Sequence, residues 1–145
     1  MLSCFPPYEL KRSKDEKGQS LLWDPIRKRW FLEQPEEVVR QLLIAHLLEA
    51  HQVSRALIGV EKEITYHRQK KRLDVVVFDS EANPLVLCEC KAPQVPLSHK
   101  TLQQLARYNY SLQAPHLLIT NGLQLLFFSQ DSSGNYQHMP DGWYH

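Results

Sequence analysis

Apolar positions along the chain fall into helical and extended patterns that predict its secondary structure. The segment from Gln34 to about His51 has Pro35 at the first helical position and acids in the first turn. Its apolar residues cover more than one stripe, which predicts a largely buried helix. A second helix is predicted after Ser98, a favourable N-cap, because apolar residues recur on one helical face through Leu112.

The remaining apolar segments alternate or run continuously, as strands do. A polar turn is predicted at 67–71, a second turn at 80–84, and a hairpin at Asn121-Gly122. The predicted strands are Leu57–Tyr66, Val75–Phe78, Leu85–Lys91, Leu117–Thr120 and Leu123–Phe128.

The order of these elements is helix, three strands, helix, two strands. A helix between two strands can cross over to make them parallel, and the continuous apolar runs indicate strands buried on both faces. The sequence therefore predicts an α/β sandwich with a central mixed β-sheet flanked by helices. Residues 1–33 are predicted to form an N-terminal arm with a possible β-hairpin, and 34–145 the α/β domain, in one compact domain overall; the tail after Asp131 has no assigned structure.

Composition narrows the class of protein. The chain has 145 residues, 43% of them hydrophobic, and a formal net charge of +1, which argues against a strongly basic, histone-like protein but leaves room for a local basic patch. Three cysteines, two of them one residue apart on a predicted strand, fit a reducing cytoplasm better than a disulfide framework. We expect a cytoplasmic protein, because no stretch has the pattern of a membrane span or a signal peptide.

Candidate chemistry lies on two adjacent predicted strands. Asp74 precedes one apolar run, and Glu89 and Lys91 end the next, sharing one face of that strand because side chains alternate. Two carboxylates could hold a hard divalent cation through oxygen, and a lysine could position or activate a water. The alternatives are a solvent-facing aspartate at a strand edge and an ion pair worth about 0–1 kcal/mol.

This arrangement resembles the D…(D/E)xK core of the PD-(D/E)xK nucleases, and within them the N-terminal nuclease domain of type I restriction enzyme R subunits. Leu73 stands where these proteins often have proline. The resemblance extends from about Trp23 to Phe128. It includes the segments Asp24–Arg29, Pro35–Gln41, Arg72–Asp74, Glu89–Pro93, Gln104–Asn109 and Thr120–Gly122.

The resemblance implies a restriction-endonuclease-like fold and a Mg²⁺ or Mn²⁺ site. Its catalytic residues would be Asp74, Glu89 and Lys91, and its metal ligands Asp74, Glu89 and the backbone carbonyl of Cys90. Glu37 would be the supporting acid of the first helix, although Glu36 is an alternative that could instead pair with an arginine one turn later.

Gln104 and Tyr108 lie one helical turn apart and resemble a QxxxY motif that braces the active site in many relatives. An ordinary amphipathic border would give the same pattern.

Basic residues near the predicted site could contact DNA phosphates, although a solvated basic turn is as common. The candidates are Arg68, Lys70, Lys71 and Arg107. Zinc at Cys88 and Cys90 is disfavoured, because a C-x-C pair within a strand has the wrong spacing for structural zinc sites. These cysteines are expected to be reduced and buried on the face opposite Glu89.

The sequence thus predicts a Mg²⁺-dependent DNA endonuclease-like domain of restriction-modification type. The alternative is a catalytically silent nucleic-acid-binding or assembly module with the same fold. The expected partners are DNA and, by resemblance, other restriction-modification or helicase subunits. The chain carries no GxxxxGK[ST] nucleotide-binding loop of its own.

Overall fold

The structure is a computed structural model, and it describes residues 3–142. Its two helices are α1 (Pro35–Glu49) and α2 (His99–Leu112). Its strands are β1 (Arg12–Lys14), β2 (Ser20–Asp24), β3 (Arg29–Leu32), β4 (Ile58–Tyr66), β5 (Gln69–Phe78), β6 (Pro84–Cys90), β7 (His116–Thr120), β8 (Leu125–Gln130) and β9 (Tyr136–His138).

The central sheet has six strands in the order β4-β5-β6-β7-β8-β9, and the first three strands form a separate antiparallel sheet. Within the central sheet only β6 and β7 pair in parallel, and α2 connects them. The prediction of a mixed sheet flanked by helices is confirmed, and the architecture is that of a restriction-endonuclease-like fold.

Each helix covers one face of the sheet. On one face, Val39, Leu43 and Leu47 of α1 pack in a buried cluster that includes the strand residues Val75 and Cys88. On the other face, Leu105 of α2 belongs to a second cluster, formed with Leu73, Val76, Leu87, Leu117 and Ile119. Burial on both faces explains why β6 reads as a continuous apolar run.

The cysteines of β6 follow this division. Cys88 and Cys90 are fully buried on the α1 side and are not disulfide-bonded. Burial, followed by the negative charge of Asp74, raises the pKa of both thiols. The predicted location of these two side chains, in the core and packed with a helix, is confirmed.

The polar turn predicted at 67–71 is wrong in length. Only His67 and Arg68 form the turn, both with positive φ, and β5 already begins at Gln69. Two consecutive left-handed residues match the twist of a tight hairpin. The first residues of β5 are polar because this end of the hairpin extends beyond the core, where Lys70 is exposed. Their polarity therefore suggested a turn where the chain forms a strand.

The N-terminal arm contains one more strand than the two suggested by its sequence. Before β1, the arm packs against the central core. Phe5 is buried with α1, and the amide of Cys4 donates to the Gly122 carbonyl at 2.8 Å. In residues 3–142, neither helix has the length and apolar character needed to cross a bilayer.

Candidate active site

The candidate site lies where β5 and β6 part. Their antiparallel pairing ends at the pair of Val75, the residue that follows Asp74, with Cys88. Past that point the Asp74 side chain bridges the gap, because its Oδ2 accepts a hydrogen bond from the Cys90 amide at 2.8 Å. A carboxylate therefore takes the place of a backbone acceptor and is fixed beside the strand that carries Glu89.

Arg40 of α1 binds the other oxygen of Asp74. Its Nη2 donates to Asp74 Oδ1 at 2.8 Å and lies 3.3 Å from one oxygen each of Glu36 and Glu61, while its Nη1 donates to Glu37 at 2.6 Å. Burial opposes the charge of Arg40, but the hydrogen bond and charge of Asp74 outweigh burial and raise the arginine's pKa. Arg40 is thus a permanent cation among four carboxylates.

Glu37 links this arginine to the N-terminal sheet. It accepts from Arg27 at 2.8 Å and from Gln41 at 3.1 Å, besides its bond from Arg40. Arg27 is held in turn by Asp24, a fully buried residue, at 2.6 Å. Glu37 accepts all three of these hydrogen bonds from side-chain donors, so its geometry is that of a residue that orients Arg40.

Glu36 has a different environment. Half of its side chain is exposed, and its pKa is raised by burial and then by the charge of Asp74, with Arg40 and Lys91 acting in the opposite direction. Of the two acids left open by the sequence, Glu36 is therefore the one whose electrostatic surroundings include both Asp74 and Lys91. Glu37, which the sequence favoured, retains a supporting position through Arg40.

Glu89 and Lys91 lie together at the end of β6. Lys91 Nζ is 3.5 Å from Glu89 Oε1. The Lys91 side chain is 30% exposed and the Glu89 side chain is 22% exposed. Burial and then the charge of Asp74 raise the pKa of Glu89 to about 8, although Lys91 opposes the shift. The charge of Asp74 thus opposes ionisation of Glu89.

Glu61 is a further acid at the site that the sequence did not single out. It lies in β4 between the pairs Val60–Val75 and Lys62–Leu73, with a left-handed φ of 55°. Such a conformation costs a non-glycine residue about 1–3 kcal/mol, and strain of this kind clusters at functional sites. Here the strained residue places its carboxylate 3.3 Å from Arg40.

The predicted motif of α2 forms an internal contact. Gln104 Nε2 donates to the Tyr108 hydroxyl at 3.0 Å, and the Tyr108 ring packs edge-on against Tyr66 of β4 at 5.3 Å. Gln104 also lines a cleft of about 430 Å³ that contains Lys91. The pair thus braces the surface beside the site.

The predicted DNA-contacting residues do not form one cluster. Arg68 is in the β4–β5 turn, and Lys70 and Lys71 alternate along β5, where Lys70 pairs with Glu63 at 3.6 Å. Arg107 is exposed on α2 and lines the cleft that contains Lys91. Of the four, only Arg107 shares a cavity with a candidate catalytic residue.

Arg40 and Arg27, like Glu61, are residues at the site that the sequence did not single out. The spacing of Glu36, Glu37 and Arg40 signals helical ion pairs, but it gives no indication that the arginine also reaches Asp74, 34 residues later. Within residues 3–142, no three His, Cys, Asp or Glu side chains come together as a metal-binding cluster. A metal ion held by Asp74 and Glu89 would therefore need backbone oxygen or water to complete its coordination shell. The Cys90 carbonyl would be one such backbone oxygen.

The raised pKa of Glu89 predicts a pH-dependent stability in chelator. Because its folded-state pKa lies above 4.5, the associated stability is complete below about pH 4.5 and is lost as the pH rises through about 8. We expect the free energy of unfolding to fall by an amount on the order of a few kcal/mol over this window, since each pKa unit is worth about 1.4 kcal/mol. Urea unfolding at a series of pH values would measure it. The same slope in Glu89→Gln would refute the assignment to this residue.

Comparison with known proteins identifies the family. A family model described as the type I restriction enzyme R protein N terminus matches residues 35–141. No curated protein matches the chain. The matched region runs from the start of α1 past β9 and includes Asp74, Glu89 and Lys91. Since it covers most of the sequence, the chain belongs to the family of type I restriction enzyme R protein N termini.

Proposed function

We propose that this chain is a nuclease domain that cleaves DNA phosphodiester bonds with Mg²⁺ or Mn²⁺. The observation that carries the proposal is the hydrogen bond that holds Asp74 to the Cys90 amide, at the end of the strand that carries Glu89, with Lys91 3.5 Å from Glu89. The family suggests a nuclease-like domain and implies DNA and restriction-modification subunits as partners.

The donor set fits a hard divalent cation. Asp74, Glu89 and the Cys90 carbonyl offer only oxygen, which Mg²⁺ and Mn²⁺ prefer. The raised pKa of Glu89 fits this proposal, because burial and then the charge of Asp74 oppose ionisation of Glu89 more than Lys91 favours it. A bound dication would supply that charge, polarise a phosphate oxygen and stabilise the leaving oxygen.

The protein's own residues have separate roles in this proposal. The Cys90 amide and Arg40 hold the two Asp74 oxygens in place, so this ligand is oriented before DNA binds. Lys91 orients or deprotonates the attacking water. Glu37 acts through Arg40, and the Gln104–Tyr108 pair supports the adjacent surface.

One observation favours a second candidate function, a silent DNA-binding or assembly module. Asp74 Oδ1 is already bound by a guanidinium at 2.8 Å, so a metal would have to share or displace this contact. In such a module Arg40 would substitute permanently for the cation. DNA affinity would then be indifferent to divalent ions.

A DNA titration separates these two functions. In a working metal site, carboxylates repel DNA until a cation reverses their local charge, so calcium should tighten binding about tenfold relative to chelator. Glu89→Gln should lose this gain. The matched control is Glu81→Gln, an exposed acid in the β5–β6 turn, which should retain it. Equal affinity with calcium and with chelator in the unmodified chain would favour the silent module.

A further inference from the structure

Two adjacent depressions follow the exposed face of α2 away from the candidate site. The first, which we call the lysine cleft, has a volume of about 430 Å³ and contains Lys91, Lys100 and Arg107. The second, which we call the tyrosine groove, has a volume of about 470 Å³ and is lined by Tyr66, Ala106 and Tyr110 together with residues shared with the cleft. Gln103 and Arg107 line both, so the two depressions adjoin each other.

The charge of the lysine cleft indicates a polyanion. Its three cations are accompanied by neutral hydrogen-bonding residues, including Ser98, and among the described residues no Asp or Glu lines it. This distinguishes it from the cavity on the other side of the site, about 590 Å³ in volume, where three glutamates accompany four arginines. A cationic cleft that no acid lines, and that begins at the lysine proposed for catalysis, suits the phosphates of a bound strand.

The tyrosine groove adds a feature that phosphate binding does not require. Tyr110 is 80% exposed, and it lies one helical turn beyond Arg107 on the same face of α2. Tyr66 forms the opposite wall and is held there by its edge-on contacts with Tyr108, at 5.3 Å, and His67, at 4.2 Å. Aromatic rings beside an arginine are the surfaces on which unpaired bases stack.

We propose that the lysine cleft and the tyrosine groove form a track for an unpaired DNA strand, with phosphates at Lys100 and Arg107 and a base stacked on Tyr110. This inference rests on the proposed function and deepens it by naming the form of the substrate: DNA with a single-stranded segment beside the scissile bond. In an intact duplex the bases are already stacked on one another, so only an unpaired base can use Tyr110.

The test measures binding of the full chain in chelator, so it does not depend on cleavage. The probe is fluorescein-labelled oligothymidylate of about 20 nucleotides, longer than the site of a typical single-strand-binding fold, compared with a duplex of equal length. The single strand should bind more tightly than the duplex. Tyr110→Ala should weaken single-strand binding about tenfold. Tyr110→Phe, which keeps the ring, should bind as the unmodified chain does.

Salt dependence separates the phosphate contact from the base contact. Lys100→Ala should reduce the slope of log affinity against log salt by about 0.7, the value for one phosphate contact on a single strand. Tyr110→Ala should leave the slope unchanged, as should Lys14→Ala, an exposed lysine of β1 that serves as the control.

Three results would overturn the proposal: duplex binding as tight as single-strand binding, unchanged affinity in Tyr110→Ala, or tighter binding of oligouridylate, which would assign the track to RNA. Failure of the proposed nuclease function would be seen in other measurements. DNA would not be cleaved in the presence of metal, or calcium would not tighten DNA binding through Glu89. A chain that shows that effect but no preference for single strands would retain the proposed function and lose only the track.

Discussion

Lys91→Ala is expected to lower the rate of Mg²⁺-dependent DNA cleavage by about 10²–10⁴-fold, the range that a group transferring or directing a proton contributes. The Lys91 side chain is 30% exposed, and its ammonium lies 3.5 Å from Glu89, so the substitution removes little core packing. Initial rates of plasmid nicking would measure the effect, with circular dichroism to show that the fold is retained. An unchanged rate would exclude Lys91 from the chemistry.

Lys91→Arg distinguishes the two roles left open for this lysine. Arginine keeps a positive charge near Glu89 but cannot be deprotonated in a protein. If Lys91 only orients the water, the arginine variant should retain part of the rate; if it accepts the proton, both variants should be equally inactive.

Asp74→Asn should be impaired in both rate and metal affinity, because the substitution removes a ligand charge.

Arg40→Met is expected to cost about 3–5 kcal/mol of unfolding free energy, the amount lost when one partner of a buried ion pair is removed. Its side chain is only 6% exposed, and methionine would leave Asp74 and Glu37 without their shared cation. The control is Arg72→Met on β5, whose side chain is 70% exposed and 3.8 Å from Glu61. That substitution should change stability by less than about 1 kcal/mol.

The denaturation midpoint in urea is the measurement for both arginine variants. Adding Asp74→Asn to Arg40→Met should recover part of the loss, because it removes the carboxylate charge that Arg40 no longer balances, whereas Glu37 keeps its ion pair with Arg27. Equal destabilisation by Arg40→Met and Arg72→Met would mean that the carboxylate cluster does not depend on Arg40.

Local patterns were enough to predict the two helices, the strands of the central sheet except β9, and the placement of Glu89 beside Lys91. Each depends on neighbours within a few residues, such as the alternation along β6 or the cap at Ser98, whose hydroxyl accepts from Thr101. The role of Arg40 was not predictable in this way. Its partners come from α1, β4 and β5, and only the docking of the helix on the sheet brings them together.

The sequence left the choice between Glu36 and Glu37 open for the same reason. Adjacent helical residues point about 100° apart, and the helical pattern does not say which direction faces Asp74. The division of the chain at residue 33 stays a prediction. However, Arg27 lies before that point and donates to Glu37 after it, so the N-terminal sheet takes part in the charge network of the site.

The strand order of the central sheet also has a consequence for folding. Each strand of the central sheet after β4 is hydrogen-bonded to the strand that precedes it in the chain. The antiparallel pairs close short connections and lose little chain entropy, whereas β6 and β7 pair across the longer connection that contains α2. Asp74 and Glu89 come together through the β5–β6 hairpin. The contact between Cys4 and Gly122 closes more than 100 residues and therefore has a larger entropic cost. The residues proposed for catalysis thus belong to a part of the chain whose contacts have a low entropic cost, unlike the contact that holds the N-terminal segment.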